Sequence, residues 1–452
     1  MSATGLASRS SNQNLTSALR EAEDRYIQAN PRSAAIHGAS QAAMPGGNTR
    51  TTLHYSPFPV CIRSAEGSRV TDVDGHSYVD FINEYTAGVL GHSDPAVKAA
   101  LTQAIADGLT LGGPSIYEHE LAAIISSRFR SMERLRFCNS GTEANLLALA
   151  TARHVTGRPA VLVFDGAYHG SMLYFSHGAS PLNMPIPFFS TPYNDAAAAV
   201  KAIERHAHEL AAVIVEPLQG GAGAIPGDPA FMAALRDTTR KHGIVFIMDE
   251  VMTSRLSPSG VQGRLGIKPD MTTLGKYVGG GMTIGAFGGR ADIMERFNPT
   301  APNALPHGGT FNNNVLAMAA GHAAFTKVLT PEAIDRMNAR GDELRQRING
   351  LAAARGLAVQ ATGLGSIFGI HFHRGPIRNG HDLDEGERGR EREISDLKTL
   401  FQLDMMAQGH YINRRILGNL SLQTSAADLT AFLAALEEFL DNRAALIRAT
   451  VP

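Results

Sequence analysis

The stretch Ile244-Val-Phe-Ile-Met248-Asp249-Glu250-Val251-Met252-Thr253 decides the fold. Its apolar residues run without polar alternation, as in a strand buried on both faces, and such strands belong to parallel sheets covered by helices. The run ends in two carboxylates, at the edge where open α/β sheets bind ligands. Similar short apolar runs lie at 135–139, 160–164, 212–216 and 271–274, separated by helical segments such as 143–156 and 231–241. Residues from about 95 to 330 therefore read as an α/β layer with a largely parallel sheet. Gly, Asp, Ser and Tyr cluster just after its strands.

Outside this layer the patterning changes. Residues 15–29 carry helical apolar spacing and are followed by Pro31 and a loop holding Met44-Pro-Gly-Gly-Asn-Thr-Arg50. Strand-like stretches at 60–63 and 69–72 turn at Asp74-Gly75. After 330 come a helix over 331–354, strands around 366–372, a charged stretch over 374–393, another helix, and a closing amphipathic helix over 426–443. The expected division is an amino-terminal segment and part of a small domain (1–75), a large domain (76–330), and a smaller α+β domain (331–452). The mixed charges of Asp382, Asp384, Glu385, Glu387, Arg388, Arg390, Glu391 and Arg392 read as a solvated loop and helix start, with a partner-binding segment as the alternative.

Composition narrows the class. The chain has 452 residues, 44% apolar and 18% charged, with formal net charge −1. That balance excludes a disordered chain and offers neither a basic field for nucleic acid nor an acidic one for a cationic partner. No apolar run is long enough to span a bilayer. Two cysteines, Cys61 and Cys138, are too few for a disulfide framework and suit a reducing compartment. The first twenty residues hold two arginines and no acid, faintly like an organellar transit peptide. Without a clear amphipathic pattern a short tail is the simpler reading, and the cytoplasm the expected location.

The chemistry centres on Lys276, in Met271-Thr-Thr-Leu-Gly-Lys276-Tyr-Val-Gly-Gly-Gly281, 27 residues after Asp249. A lysine in a small-residue segment can form a Schiff base with the aldehyde of pyridoxal phosphate. A carboxylate closing a strand can keep the pyridine nitrogen protonated, so that the ring accepts electrons. A helix-capping Asp249 would leave the glycine-lined lysine unexplained. Ser140-Gly141-Thr142, between a strand and a helix, reads either as a simple N-cap or as a phosphate cradle of free N–H groups and hydroxyls. Tyr168-His169-Gly170 follows the 160–164 strand, where an aromatic can stack on a planar ring. Glu216 closes another strand and must find a partner; orienting a loop and direct catalysis are both open to it. His307-Gly-Gly-Thr310 precedes a further helix.

At these residues the chain resembles a class III pyridoxal-phosphate aminotransferase of fold type I. Ser140-Gly141-Thr142, Tyr168-His169-Gly170, Glu216-Pro217, Asp249-Glu250-Val251, Lys276 and Gly309-Thr310 stand in the family's order. The resemblance implies a large domain with a mostly parallel seven-stranded sheet flanked by helices, and a smaller α+β domain built from both termini. It implies Lys276 as Schiff base and proton shuttle, Asp249 at the ring nitrogen, Tyr168 and Val251 on opposite ring faces, and Ser140, Gly141 and Thr142 at the phosphate. His169, Glu216 and Met252 complete the cofactor-binding set; no metal is called for. Thr310 is implied to reach the phosphate of a neighbouring subunit, making a homodimer with shared sites. Met252, where many members have Gln, is similar to the branch holding glutamate-1-semialdehyde aminomutase and the β-phenylalanine-type β-amino-acid aminotransferases. Met44–Arg50, Glu84-Tyr-Thr-Ala-Gly88, Thr253-Ser-Arg255 and Thr310–Asn314 resemble the second group more.

Arg50 and Arg415 are the expected substrate arginines, with Arg414 as an alternative to Arg415, because guanidinium grips a carboxylate with two parallel hydrogen bonds. The resemblance implies Arg50 for the β-amino acid's carboxylate and Arg415 for the distal carboxylate of the keto acid. The expected reaction is ping-pong transfer from an amino acid or amine, with an aromatic β-amino acid favoured, to a keto acid such as 2-oxoglutarate. Rival readings are an intramolecular aminomutase and a non-catalytic scaffold, the latter opposed by the intact Lys276, Asp249 and Tyr168.

Overall fold

Seven strands form the central sheet, in the order Arg134–Cys138, Gly285–Gly289, Met271–Gly275, Val245–Asp249, Leu210–Val215, Ala160–Phe164 and Phe188–Thr191. Neighbours pair in parallel except Gly285–Gly289, which is antiparallel to both strands beside it. This computed structural model describes residues 14–176 and 178–452. Most of the tail or transit-peptide expectation therefore lies outside the described residues.

Every residue of Leu210–Val215, Val245–Asp249 and Met271–Gly275 is buried, as the unbroken apolar runs require. Each Val, Ile, Leu or Phe withdrawn there from water contributes roughly 1.5–3 kcal/mol. Two strands escaped the periodicity argument. Phe188–Thr191 is a short, half-exposed edge. Gly285-Ala-Phe-Gly-Gly289 is glycine-rich and has little intrinsic strand preference. Ala286 and Phe287 pack into the core, while at the glycines the neighbouring backbone leaves no room for a side chain: a Cβ at Gly285 would lie 2.1 Å from the Ser140 carbonyl oxygen. That close approach brings the Ser140 turn against the end of the Met271–Gly275 strand.

Local signals set the helix ends. Ser140 caps Gly141–Thr156 by accepting from the Glu143 N–H at 3.1 Å. Asp228 and Pro229 open Pro229–His242, and left-handed Gly243 (φ 61°) closes it. Thr330 and Pro331 open Pro331–Ala354 in the same way. Ser425 and Asp428 form a capping box on Ala426–Asn442. The helix Leu15–Ala29 buries Ala18, Ala22 and Tyr26, and the Tyr26 hydroxyl donates to the Phe58 carbonyl at 2.7 Å.

The two ends of the chain meet in an outer sheet. Ile62–Glu66, Arg69–Asp72 and Ser77–Asp80 pair antiparallel in sequence, and His410–Tyr411 adds parallel to the third. A second outer sheet is antiparallel, ordered Gln360–Leu364, Ile367–His371, Leu417–Asn419. We propose the division at about 75 and 330; pairing across the chain's ends supports a composite small unit, and the hairpin from Arg69 to Asp80 spans the first boundary. The charged stretch holds a helix, Gly380–Glu387, capped by the Asn379 side chain, before Glu391–Ala407 begins. Among the described residues no helix is long and apolar enough to cross a membrane.

Packing at the glycine strand yields a discriminating pair of substitutions. Gly285→Ala is expected to cost about 2–3 kcal/mol through overpacking. Gly350→Ala, inside Pro331–Ala354 with nothing within 4 Å of the added Cβ, is expected to stabilise by about 0.5–1 kcal/mol. Denaturant midpoints of the two variants should move in opposite directions.

Candidate active site

Asp249 ends its strand directly beside Thr273, its Cα partner in the next strand, and Lys276 follows three residues later. Parallel pairing thus turns a separation of 27 residues into adjacency at one sheet edge. Asp249 is buried and fully engaged. One oxygen accepts from the Val251 N–H at 3.0 Å; the other meets His169 Nδ1 at 2.7 Å and Asn145 Nδ2 at 2.8 Å. The turn-capping role and the buried-acid role coexist in one carboxylate.

His169 is enclosed, and its Nε2 has no hydrogen-bond partner. Burial works against its charged form, but the Asp249 hydrogen bond and charge, with Glu216, outweigh that and raise its pKa. Glu216 accepts from the Tyr168 N–H at 2.9 Å and the Gly220 N–H at 3.4 Å, so it holds two loops in place. Burial pushes its carboxyl up to about 7. Tyr168 is 47% exposed, an aromatic face open at the sheet's edge, with its ring edge-on to Tyr174.

Lys276 is partly buried at a left-handed backbone position (φ 57°). Nζ donates to the Tyr85 carbonyl at 2.7 Å and to Thr86 Oγ1 at 3.2 Å. Burial pushes the amine down to about 8; Asp249 and Glu216 oppose this, while Arg255 and Arg50 add to it. Its two acceptors belong to a run of four non-glycine residues with positive φ, Asn83 to Thr86. Such conformations cost of order 1–3 kcal/mol each and persist where the surroundings over-determine them.

Ser140, Gly141 and Thr142 open a helix of 16 residues, whose N–H groups and dipole face the same edge. The N-cap reading of Ser140 is realised, and Gly141 and Thr142 remain beside it. A Cβ on Gly141 would lie 2.7 Å from Val251 Cγ1, and one on Gly220 would lie 2.4 Å from Met252 Sδ. Val251 therefore lies against the Ser140 turn, and Met252 against the loop that Glu216 holds. The Cys138 thiol is buried and pushed up to about 12, which removes it as a nucleophile.

Arg50 pairs with Glu84 and lies 5.4 Å from the Tyr85 ring centroid. Arg415 lines a cavity of about 690 Å³ with Arg414, Lys398, Asp165 and Tyr174. Both Arg50 and Arg415, from opposite ends of the chain, act electrostatically on Tyr85 and Tyr168. Thr310 is exposed and stands apart, on a segment tethered by Asn139 Nδ2 to Asn312 Oδ1 at 2.9 Å. Beside it, Phe311 is 55% exposed.

Asn145 was not anticipated. It bridges Asp249, the His169 carbonyl and Thr273, whose hydroxyl donates to Asn145 Oδ1 at 2.6 Å. Its position four residues after Gly141 places it one turn inside the N-terminus of that helix, a signal available only once the helix is established. Tyr85 and Thr86 carried no chemical signal of their own. Together the site offers a helix N-terminus and hydroxyls for a phosphate, an open aromatic face, a buried acid for a ring nitrogen, and an amine for an aldehyde. The donor set, and the buried acid already held by His169 and Asn145, fit pyridoxal phosphate.

Comparison with known proteins agrees with this geometry. Residues 51–391 match the family model "Aminotransferase class-III". The chain is 48% identical to the β-phenylalanine transaminase of Variovorax paradoxus over 431 residues, covering 95% of this chain and 97% of that protein. A crystal structure of a β-phenylalanine aminotransferase from Variovorax paradoxus superposes with TM-score 0.92 and 46% identity, over 96% of this chain and 99% of that one. More distant is the glutamate-1-semialdehyde 2,1-aminomutase 2 of Exiguobacterium sibiricum, 35% identical over 90% of this chain and 96% of that protein.

Glu216 gives the site a pH signature. A carboxyl raised from 4.5 to about 7 on folding binds a proton more tightly in the native state, so the stability it confers is present below pH 4.5 and is lost as pH rises through 7. Relative to Glu216→Gln, the wild-type protein without cofactor is expected to lose roughly 2–3 kcal/mol between pH 4.5 and 7. Denaturation of both proteins across that range checks this; parallel curves would exclude it.

Proposed function

The chain belongs to the class III aminotransferase family, and we propose that it moves an amino group from an aromatic β-amino acid to a keto acid such as 2-oxoglutarate, in two half-reactions at one site. The observation that carries this reading is the lysine beside a buried, fully engaged acid, with two arginines acting electrostatically on the same aromatic pair. Bound there, pyridoxal phosphate supplies an electron sink for the charge left when the amine-bearing carbon loses its proton.

Ser140, Gly141 and Thr142 would hold the phosphate, Tyr168 and Val251 the ring faces, and Asp249 the protonated ring nitrogen. His169, Glu216 and Met252 would border the ring. His169 keeps Asp249 oriented through their hydrogen bond at 2.7 Å. Lys276 Nζ, with its basicity lowered to about pH 8, spends a useful fraction of time neutral and can take a proton from the amine-bearing carbon and return it. The Tyr85 carbonyl and Thr86 hydroxyl give that amine a fixed resting place.

Arg50 would take the carboxylate of the β-amino acid, with Glu84 released from its pair, and Arg415 the distal carboxylate of the keto acid. The Variovorax relative's name supports the β-amino-acid choice. Exposed Ile105, Leu109, Leu111, Ile116 and Phe311 support burial against a second copy, in which Thr310 would complete the neighbouring site. Two unpaired cysteines support a reducing location, the cytoplasm.

Lys276→Ala is expected to abolish multiple turnover and the absorbance of lysine-linked cofactor. Arg415→Ala should raise the KM for 2-oxoglutarate about 10–100-fold while leaving an apolar donor nearly unaffected, and Arg50→Ala should weaken the donor. An amino-donor panel with 2-oxoglutarate and pyruvate decides the class. Turnover of a semialdehyde with no keto acceptor, and none of β-phenylalanine, would replace transfer by intramolecular amino migration.

A further inference from the structure

Arg255 is 1% exposed, and among the described residues no carboxylate pairs with it. A cation buried without a counter-charge is costly, and here dipoles alone offset the cost. Nη1 donates to the Thr86 carbonyl at 3.2 Å and to Asn419 Oδ1 at 2.9 Å. Nη2 donates to the Leu420 carbonyl and lies 3.2 Å from Met337 Sδ. The Arg255 carbonyl in turn accepts from Asn338 Nδ2 at 3.0 Å. One guanidinium thus joins the left-handed run of 83–86, the Pro331–Ala354 helix and the end of the Leu417–Asn419 strand.

The left-handed run is the element that touches Lys276. Its first half is clamped by other groups: Asp80 Oδ1 accepts from the Ile82 and Asn83 N–H groups at 2.7 and 2.9 Å, and Asn419 Nδ2 donates to the Ile82 carbonyl at 2.8 Å. In the second half Arg50 pairs with Glu84 and the Tyr85 hydroxyl donates to the Thr52 carbonyl at 2.7 Å, while Thr86 is held by Arg255, on the carbonyl, and Lys276, on the hydroxyl. Strained backbone relaxes when one of its restraints is removed.

We propose that Arg255 is a positioning residue for amino transfer: by tying the Thr86 carbonyl to the Asn419–Leu420 strand end, it holds the Tyr85 carbonyl and Thr86 hydroxyl where Lys276 Nζ meets them. This rests on the reading of Lys276 as the reactive amine. A lysine at 255 keeps the charge but lacks the planar fork that spans Thr86 and Leu420 together. The charged groups acting on Lys276 are Asp249, Glu216, Arg50 and Arg255. Loss of Arg255 therefore removes a cation that disfavours a proton there.

The test compares wild type, Arg255→Lys and Arg255→Met as cofactor-loaded enzymes, by steady-state kinetics, thermal unfolding, and absorbance of the bound cofactor against pH. Both variants are expected to lower kcat about tenfold or more, with the donor KM within about twofold of wild type. The absorbance midpoint should move to higher pH in Arg255→Met and stay near wild type in Arg255→Lys. A soluble Arg255→Lys with kcat within about twofold of wild type overturns the proposal, whatever its melting temperature. So does a loss of activity that only follows loss of bound cofactor, with the midpoint unmoved in Arg255→Met. Should Arg255→Met fail to fold, kcat and KM of Arg255→Lys decide alone. Wild-type enzyme showing no lysine-linked cofactor absorbance overturns the Lys276 reading itself and this inference with it; normal absorbance with an unaffected Arg255→Lys overturns this inference only.

Discussion

The buried carboxylate of Asp249 is the constraint on which the rest of the site depends. Placing an anion at the end of a fully buried strand is unfavourable unless its oxygens are engaged. His169, Asn145 and the Val251 N–H do this from three separate elements. The loop after Ala160–Phe164, the helix Gly141–Thr156 and the turn after Val245–Asp249 are thereby brought to one point. His169 is charged more readily because Asp249 is there, and Glu216 less readily because it is buried and Asp249 lies near. These are coupled groups, and removing one would retune the others.

A second constraint is steric. Gly285, paired with Gly275, lets the Ser140 turn come closer to this end of the sheet than a side chain there would allow. The N-terminal end of Gly141–Thr156 therefore sits against the segment that carries Lys276. On the other side, four left-handed residues carry the carbonyl and hydroxyl that receive the lysine. The amine is thus bracketed by two pieces of backbone that ordinary side chains or ordinary dihedrals would exclude. Strain stored next to a reactive group is a common arrangement where geometry matters more than stability.

Much of this was legible from residue order. Apolar runs without alternation gave the buried parallel strands, and the carboxylates, glycines and hydroxyls after them pointed to the edge where the candidate site lies. The Gly285–Gly289 strand was not legible by periodicity, because glycine carries no hydrophobic pattern and its pairing is decided by neighbours. Arg255 lay within a motif noted only for its likeness to a subgroup, since nothing local says that a surface-type residue is enclosed. The helix Gly380–Glu387 was hidden inside a charge-rich stretch whose composition favours solvent.

By itself the sequence determined which chemistry the chain can perform, because a lysine, an acid, an aromatic and a hydroxyl-bearing turn each follow a strand and strands end at a common edge. It also determined the layer architecture, through runs of residues that water disfavours. Only the tertiary structure decided that Arg50 and Arg415, from opposite ends of the chain, act electrostatically on the same tyrosines, and that Tyr85 and Thr86 receive the lysine. Those meetings depend on long-range packing of strands and loops, and contacts across hundreds of residues leave no local trace in the order of amino acids.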